Sequence, residues 1–132
     1  MICAGVTDTE LSVTTCTYAW EGATIMKKAM LSQPMAGKTN EEIVATRERA
    51  IATLTEKGYE IINTLFTDEW NSKDAMESRG VVHIPLCFLA KSLEKMSMCH
   101  AVYFCKGWEN ARGCRIEHAA AREYGLELVY ET

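Results

Sequence analysis

His100–Tyr124 reads HAVYFCKGWENARGCRIEHAAAREY. Ala101–Cys105, AVYFC, is apolar and aromatic with no polar alternation, the pattern of a strand buried on both faces. Gly107 interrupts it, polar residues follow, and Gly113 closes the loop. From Cys114 the pattern turns helical and Ala-rich until Gly125, a residue suited to the left-handed position past a helix end. The order is strand, loop, helix. In a parallel sheet, ligands collect where such a loop leaves the carboxyl end of a strand. Gly113 lets backbone approach a ligand, and the helix start offers free N–H groups to an anion. Glu117, about one turn in, can aim a carboxylate into the same crevice or simply complement the helix dipole; the spacing leaves both readings open.

Upstream, the same grammar repeats. Lys28–Ser32 is the first core strand, and Gln33–Lys38 is a loop holding Pro34 and Gly37. Thr39 and Glu42 form a T-x-x-E capping box ahead of a helix over Asn40–Lys57. Ile43, Ala50 and Leu54 mark its buried face, Arg47 and Arg49 its wetter side, and Gly58 ends it. Tyr59–Leu65 is the second strand. Thr67–Val82 is polar and poorly periodic, a loop long enough to be functional. Pro85 suits the first residue of another helix, with Leu86, Leu89, Leu93 and Met96 as its core stripe. Leu126–Tyr130 is a last short strand. Buried strands alternating with helices predict an α/β fold, a parallel sheet of four to five strands with helices on both faces.

The chain has 132 residues, enough for one sizeable core. Its 48% hydrophobic and 24% charged residues are ordinary for a globular protein. A net charge of −4 argues against a general nucleic-acid binder, which needs a basic face. No apolar run approaches the roughly 20 residues of a membrane span, and no leader pattern opens the chain. The six cysteines form no CxxC and sit largely in apolar runs, so they read as reduced thiols of a cytoplasmic protein. Residues 1–25 contain no Lys or Arg and much Thr and Ser, and Leu11–Trp20 is β-prone. They read as an N-terminal extension, an arm that packs on the domain at 26–132 or on a second subunit of a homo-oligomer.

Two motif readings fail on their residues. Gly37-Lys38-Thr39 resembles the end of a phosphate loop, but Ser32 stands at the first glycine position and no strand ends in an Asp suited to magnesium. Lys38 and the loop amides keep a phosphate contact available. Cys114 and His118 are four apart on one helix, with Cys105 or His100 as further candidates, but structural zinc sites offer tighter paired ligands. No metal and no resident cofactor is expected.

The segments GWENARGCRIEHAAAREYG and MLSQPMAGKTNEEI resemble the closing and opening motifs of the nucleoside 2-deoxyribosyltransferase-like superfamily, closest to its small bacterial and phage members of unassigned function. The resemblance covers about Met26–Glu131. It implies a flavodoxin-like or Rossmann-like order with the first strand central, and a glycosidic chemistry. Members of that superfamily use a helix Glu four residues after a Gly as the nucleophile on the anomeric carbon; by position this is Glu117 after Gly113. An Asp commonly lies six residues before that Glu, where this chain has Ala111. A further Asp before the third strand is replaced near Ser92, and the first-loop Gly before Pro is Gln33. Glu109, Asn110 or Asp68 are the acids and amides left to substitute.

The first loop offers Ser32, Gln33, Pro34, Met35, Gly37 and Lys38 as ligand contacts. The second offers Trp108, Asn110, Arg112, Gly113 and Arg115. Trp108 suits base stacking, worth about 1–3 kcal/mol per base, whereas Trp70 reads as packing. Arg112 and Arg115 suit bidentate phosphate contact. The expected ligand is a nucleoside or nucleotide-type small molecule. The protein either cleaves or transfers its N-glycosidic bond through Glu117, or sequesters a nucleotide signal without chemistry. A purely structural oligomer is a third reading, which the loop motif disfavours.

Overall fold

A computed structural model describes residues 26–63 and 69–132. Residues 1–25, with the arm expected over Leu11–Trp20, lie outside the described residues, as do Leu65 and Asp68.

The elements follow the chain as β1 (Lys27–Ser32), α1 (Asn40–Glu56), β2 (Tyr59–Ile61), α2 (Lys73–Ser78), α3 (Ile84–Met96), β3 (Ala101–Phe104), α4 (Arg112–Glu123) and β4 (Glu127–Tyr130). Single 3₁₀ turns occupy Glu69–Asn71 and Trp108–Asn110. All strand pairs are parallel, in the order β2-β1-β3-β4. This is the flavodoxin-like α/β arrangement, whose strand order reverses between β1 and β3. The register sets Met30 beside Val102, Leu31 beside Tyr103 and Ser32 beside Phe104.

Alternation along the strands separates two cores. Ala29, Leu31, Ala101, Tyr103 and Cys105 face Ala50 and Leu54 of α1. Met30, Val102 and Phe104 face Met96 of α3 and Ala121 of α4. All four residues of β3 are buried, which is why its sequence shows no polar alternation. Burying a side chain such as Phe104 contributes about 1.5–3 kcal/mol.

The α1 cap is the expected box: Thr39 Oγ1 accepts from the Glu42 amide, and Glu42 Oε2 accepts from the Thr39 amide. Gly58, at φ +90°, takes the left-handed residue past the helix end. Four expectations shift. The polar stretch before Val82 is not all loop: Ser72 caps the short α2 by accepting from the Ala75 amide. Within the described residues β2 stops at Ile61. In α3 the first helical residue is Ile84 and not Pro85, and Leu86 is 59% exposed, so the core stripe starts one turn later. Arg47 is half-buried, off the wet side assigned to it. Among the described residues no helix is long and apolar enough to cross a membrane.

Candidate functional site

The carboxyl ends of β1 and β3 lie side by side at the point where the strand order reverses, and the loops leaving them touch. Gly107, at φ +89°, faces the first loop, and an added β-carbon would meet Pro34 Cγ at an ordinary contact distance of 3.8 Å. The left-handed φ itself demands glycine there.

Under this junction lies a buried acid. Cys114, Glu117 and Ala121 form the inward stripe of α4, and Glu117 is only 7% exposed. Ser32, the last residue of β1 and 1% exposed, donates its hydroxyl to Glu117 Oε1 at 2.7 Å. Ser92 of α3 faces the same carboxylate and, like Ser32, lowers its pKa. Burial raises the Glu117 pKa above the ordinary carboxylate range, and the two hydroxyls pull it partly back. The neighbouring Cys114 thiol is pushed up too, chiefly by burial; the nearby Ser32 hydroxyl opposes this, and the Glu117 charge adds to it. Cys105 is pushed up to about 12, first by burial and then by Glu131 and Cys114. These thiols hold their protons, which suits core residues and not reactive nucleophiles.

Gln33 follows Ser32 and turns to the opposite face, where its Nε2 donates to the Ile43 carbonyl in the first turns of α1 at 2.7 Å. The rest of the first loop, Met35, Gly37 and Lys38, is exposed, and a Lys38-to-Met35 backbone bond closes its turn. In the second loop Asn110, Arg112 and Arg115 are exposed, and Arg115 donates to the Glu109 carbonyl at 3.0 Å. Gly113 lies inside α4, which begins at Arg112 and not at Cys114; nothing stands within 4 Å of a β-carbon added there. It therefore opens space beside the helix start but makes no turn.

Trp108 is half-buried, stacked on His118 with centroids 4.1 Å apart and 21° between planes. Phe104 lies against both rings, and His118 Nε2 meets the Tyr130 hydroxyl at 2.7 Å. Trp108 and Tyr130 border an open depression of about 640 Å³ at the ends of β3 and β4, with Lys106, Asn110 and Glu131 on its polar rim. Ser32 and Glu117 do not line it, so the aromatic wall and the buried carboxylate are neighbours and not one cavity. Trp70 lies under the Arg79 guanidinium at 4.1 Å but is 60% exposed, not packed into a core.

His100 accepts from the Lys28 amide at the amino ends of the strands, far from Cys114 in the fold. Among the described residues no cluster of three metal-ligating side chains forms. Sequence reasoning did not single out Arg47, Tyr130 or the Trp108–His118 stack. The two rings come from separate elements and carried no local signal. Ser92 stands near the place of a replaced acid, and it lowers the Glu117 pKa.

No curated protein and no solved structure matches the chain. A family model does, and the matched stretch opens with the first residue of β1 and closes with the last of β4, enclosing every described element. By that match, over residues 27–130, the chain belongs to the family described as Domain of unknown function (DUF4406).

Proposed function

We propose that the protein binds a nucleoside or nucleotide-type small molecule over the carboxyl ends of β1 and β3 and cleaves or transfers its N-glycosidic bond, with Glu117 as nucleophile. The observation that carries this reading is the 2.7 Å bond from Ser32 to Glu117, which fixes a desolvated carboxylate at the switch point of the sheet. Open α/β sheets bind their ligands at that point. The resemblance to the nucleoside 2-deoxyribosyltransferase-like superfamily supports the same assignment of Glu117.

In the proposed step a Glu117 oxygen bonds to the anomeric carbon as the carbon–nitrogen bond breaks. The bonding pair leaves on the base nitrogen, which takes a proton from solvent. Water or a second base then displaces the carboxylate from the sugar. Ser32 holds the carboxylate in one orientation, and the negative charge stabilises the oxocarbenium-like transition state. Trp108 and Tyr130 offer the base an aromatic wall. We propose further that the working unit is a homo-oligomer.

A second reading is favoured by one observation. The side chains that act on Glu117 are hydroxyls and not a second acid, and Ala111 stands where the superfamily commonly has Asp. On that reading Glu117 accepts hydrogen bonds from ligand hydroxyls and the protein sequesters a nucleotide without turnover.

Glu117→Gln separates the two. For an enzyme, base release falls by orders of magnitude while affinity changes little. For a binder, affinity falls by about 1–3 kcal/mol and no base is released by either protein. Mass spectrometry of a nucleoside and nucleotide mixture after incubation, beside calorimetry, reads both. Should a ligand bind and Glu117→Gln alter neither quantity, the carboxylate serves the helix and not the ligand.

A further inference from the structure

We propose that the crevice takes a phosphate monoester on a pentose, and that Arg47, with Gln33 beside it, is the side chain that holds it. The inference rests on reading the crevice as a nucleotide-type site, and it selects the phosphorylated form.

Arg47 stands on α1 one turn after Ile43, whose carbonyl Gln33 already holds, so both side chains share the carboxyl end of β1. Arg47 Nη2 donates to Asn63 Oδ1 at 2.9 Å, just past β2. Its Nη1 is enclosed and donates to nothing. Gln33, 9% exposed, has an equally enclosed Oε1 that accepts nothing. Rotating the amide would not help, because it would set Oε1 against the Ile43 carbonyl. Among the described residues no carboxylate pairs with Arg47, whose partner is a neutral amide. Burial lowers its pKa, the sign of a cation drawn partly out of water without an anion.

A buried polar atom without a partner is costly, and a guanidinium without a counter-charge more so. The idle groups are the two N–H bonds of Nη1 on a cation and one neutral acceptor. A simple carboxylate ligand answers only the first. A phosphorylated pentose answers both: a phosphate oxygen accepts from Nη1, and a sugar hydroxyl donates to Gln33 Oε1. Ser32 and Gln33 are consecutive and face opposite sides of the sheet. A pentose lying across the end of β1 therefore has Glu117 on one side and Arg47 on the other.

Calorimetry of the full chain with ribose, ribose 5-phosphate, inorganic phosphate, adenosine and adenosine 5′-monophosphate tests this. Ribose 5-phosphate should bind about tenfold or more tightly than ribose, the scale of a charged hydrogen bond. It should also bind more tightly than inorganic phosphate, and Arg47→Gln should erase its advantage over ribose. Asn63→Asp gives Arg47 an internal carboxylate and should erase it as well; this variant carries the test if Arg47→Gln does not fold. Equal binding of ribose and ribose 5-phosphate, or an advantage that survives either substitution, overturns the proposal, and so does inorganic phosphate binding as tightly as ribose 5-phosphate. A water bridging Arg47 and Gln33 predicts the first of these results, equal binding of ribose and ribose 5-phosphate. Adenosine binding with no gain from its phosphate sinks this inference and leaves the nucleoside reading. Arg47-dependent binding of ribose 5-phosphate with no contribution from the base does the reverse.

Discussion

Glu117 is the residue whose environment says most. Burial raises its pKa above the ordinary 4.5, so the folded chain takes up this proton at a higher pH than the unfolded chain does. The linkage sign follows. Its contribution to stability is fully present below the unfolded pKa, and it is lost as pH rises through the raised folded pKa. Glu117→Gln removes that dependence. We expect the variant to gain on the wild type as pH rises from about 4 to about 8, as read from urea unfolding at each pH. Parallel stability curves for the two proteins would mean that the carboxylate is not held in a desolvated state. Ser32 acts in the opposite direction, because its hydroxyl bond lowers the Glu117 pKa. If Glu117 works as an anion, Ser32→Ala therefore moves the acid limb of the base-release profile to higher pH. A limb that stays in place excludes Glu117 as the titrating nucleophile.

Among the elements, α4 decides the site, and its start was the least legible. Gly113 looks like a loop residue, yet it lies in the first turn of the helix. Ala111 gives no start signal because its side chain cannot cap; it occupies the N-cap position in extended conformation with no side-chain bond. The opposite holds for α1, where Thr39 and Glu42 announce the boundary because the capping box is local in sequence. The short α2 hid among polar residues, although Ser72 marks it. Ala111→Asp follows from this contrast. A capping Asp should stabilise the protein by about 0.5–2 kcal/mol, measured by chemical denaturation. The same position is the one at which the superfamily commonly carries its second acid, so on the enzymatic reading base release should also rise. A stability gain without it would favour sequestration.

At the scale of the whole molecule, the topology was readable because β1 and β3 are apolar runs followed by glycine-punctuated loops and amphipathic helices. The pairing of Ser32 with Glu117 was not readable from pattern, since 85 residues separate them and no local rule links the two. Arg47 misled for a related reason: on a helix wheel it borders the solvent, but its Nη2 reaches Asn63 just past β2 and it is half-buried. Every described element lies within the family match, so a chain beginning at Met26 should keep its secondary structure by far-UV circular dichroism. Light scattering should give an oligomer for the full chain and a smaller mass for the shortened one if residues 1–25 serve association. Equal monomeric masses would remove the oligomer from the proposal.

The position of β1 also sets an order of events. Its pairing with β2 closes a loop of one helix, so that half of the sheet can form once Ile61 has been made. Its other neighbour waits for Ala101–Phe104, and the acid beneath it for Glu117, close to the end of translation. Loops of that span form slowly, because their closure entropy precedes any gain from contact. A nascent chain therefore carries Ser32 without its acid until α4 is complete. Ligand binding then reports that the last helix has docked, and a chain cut short before Gly113 lacks Glu117 and with it the site.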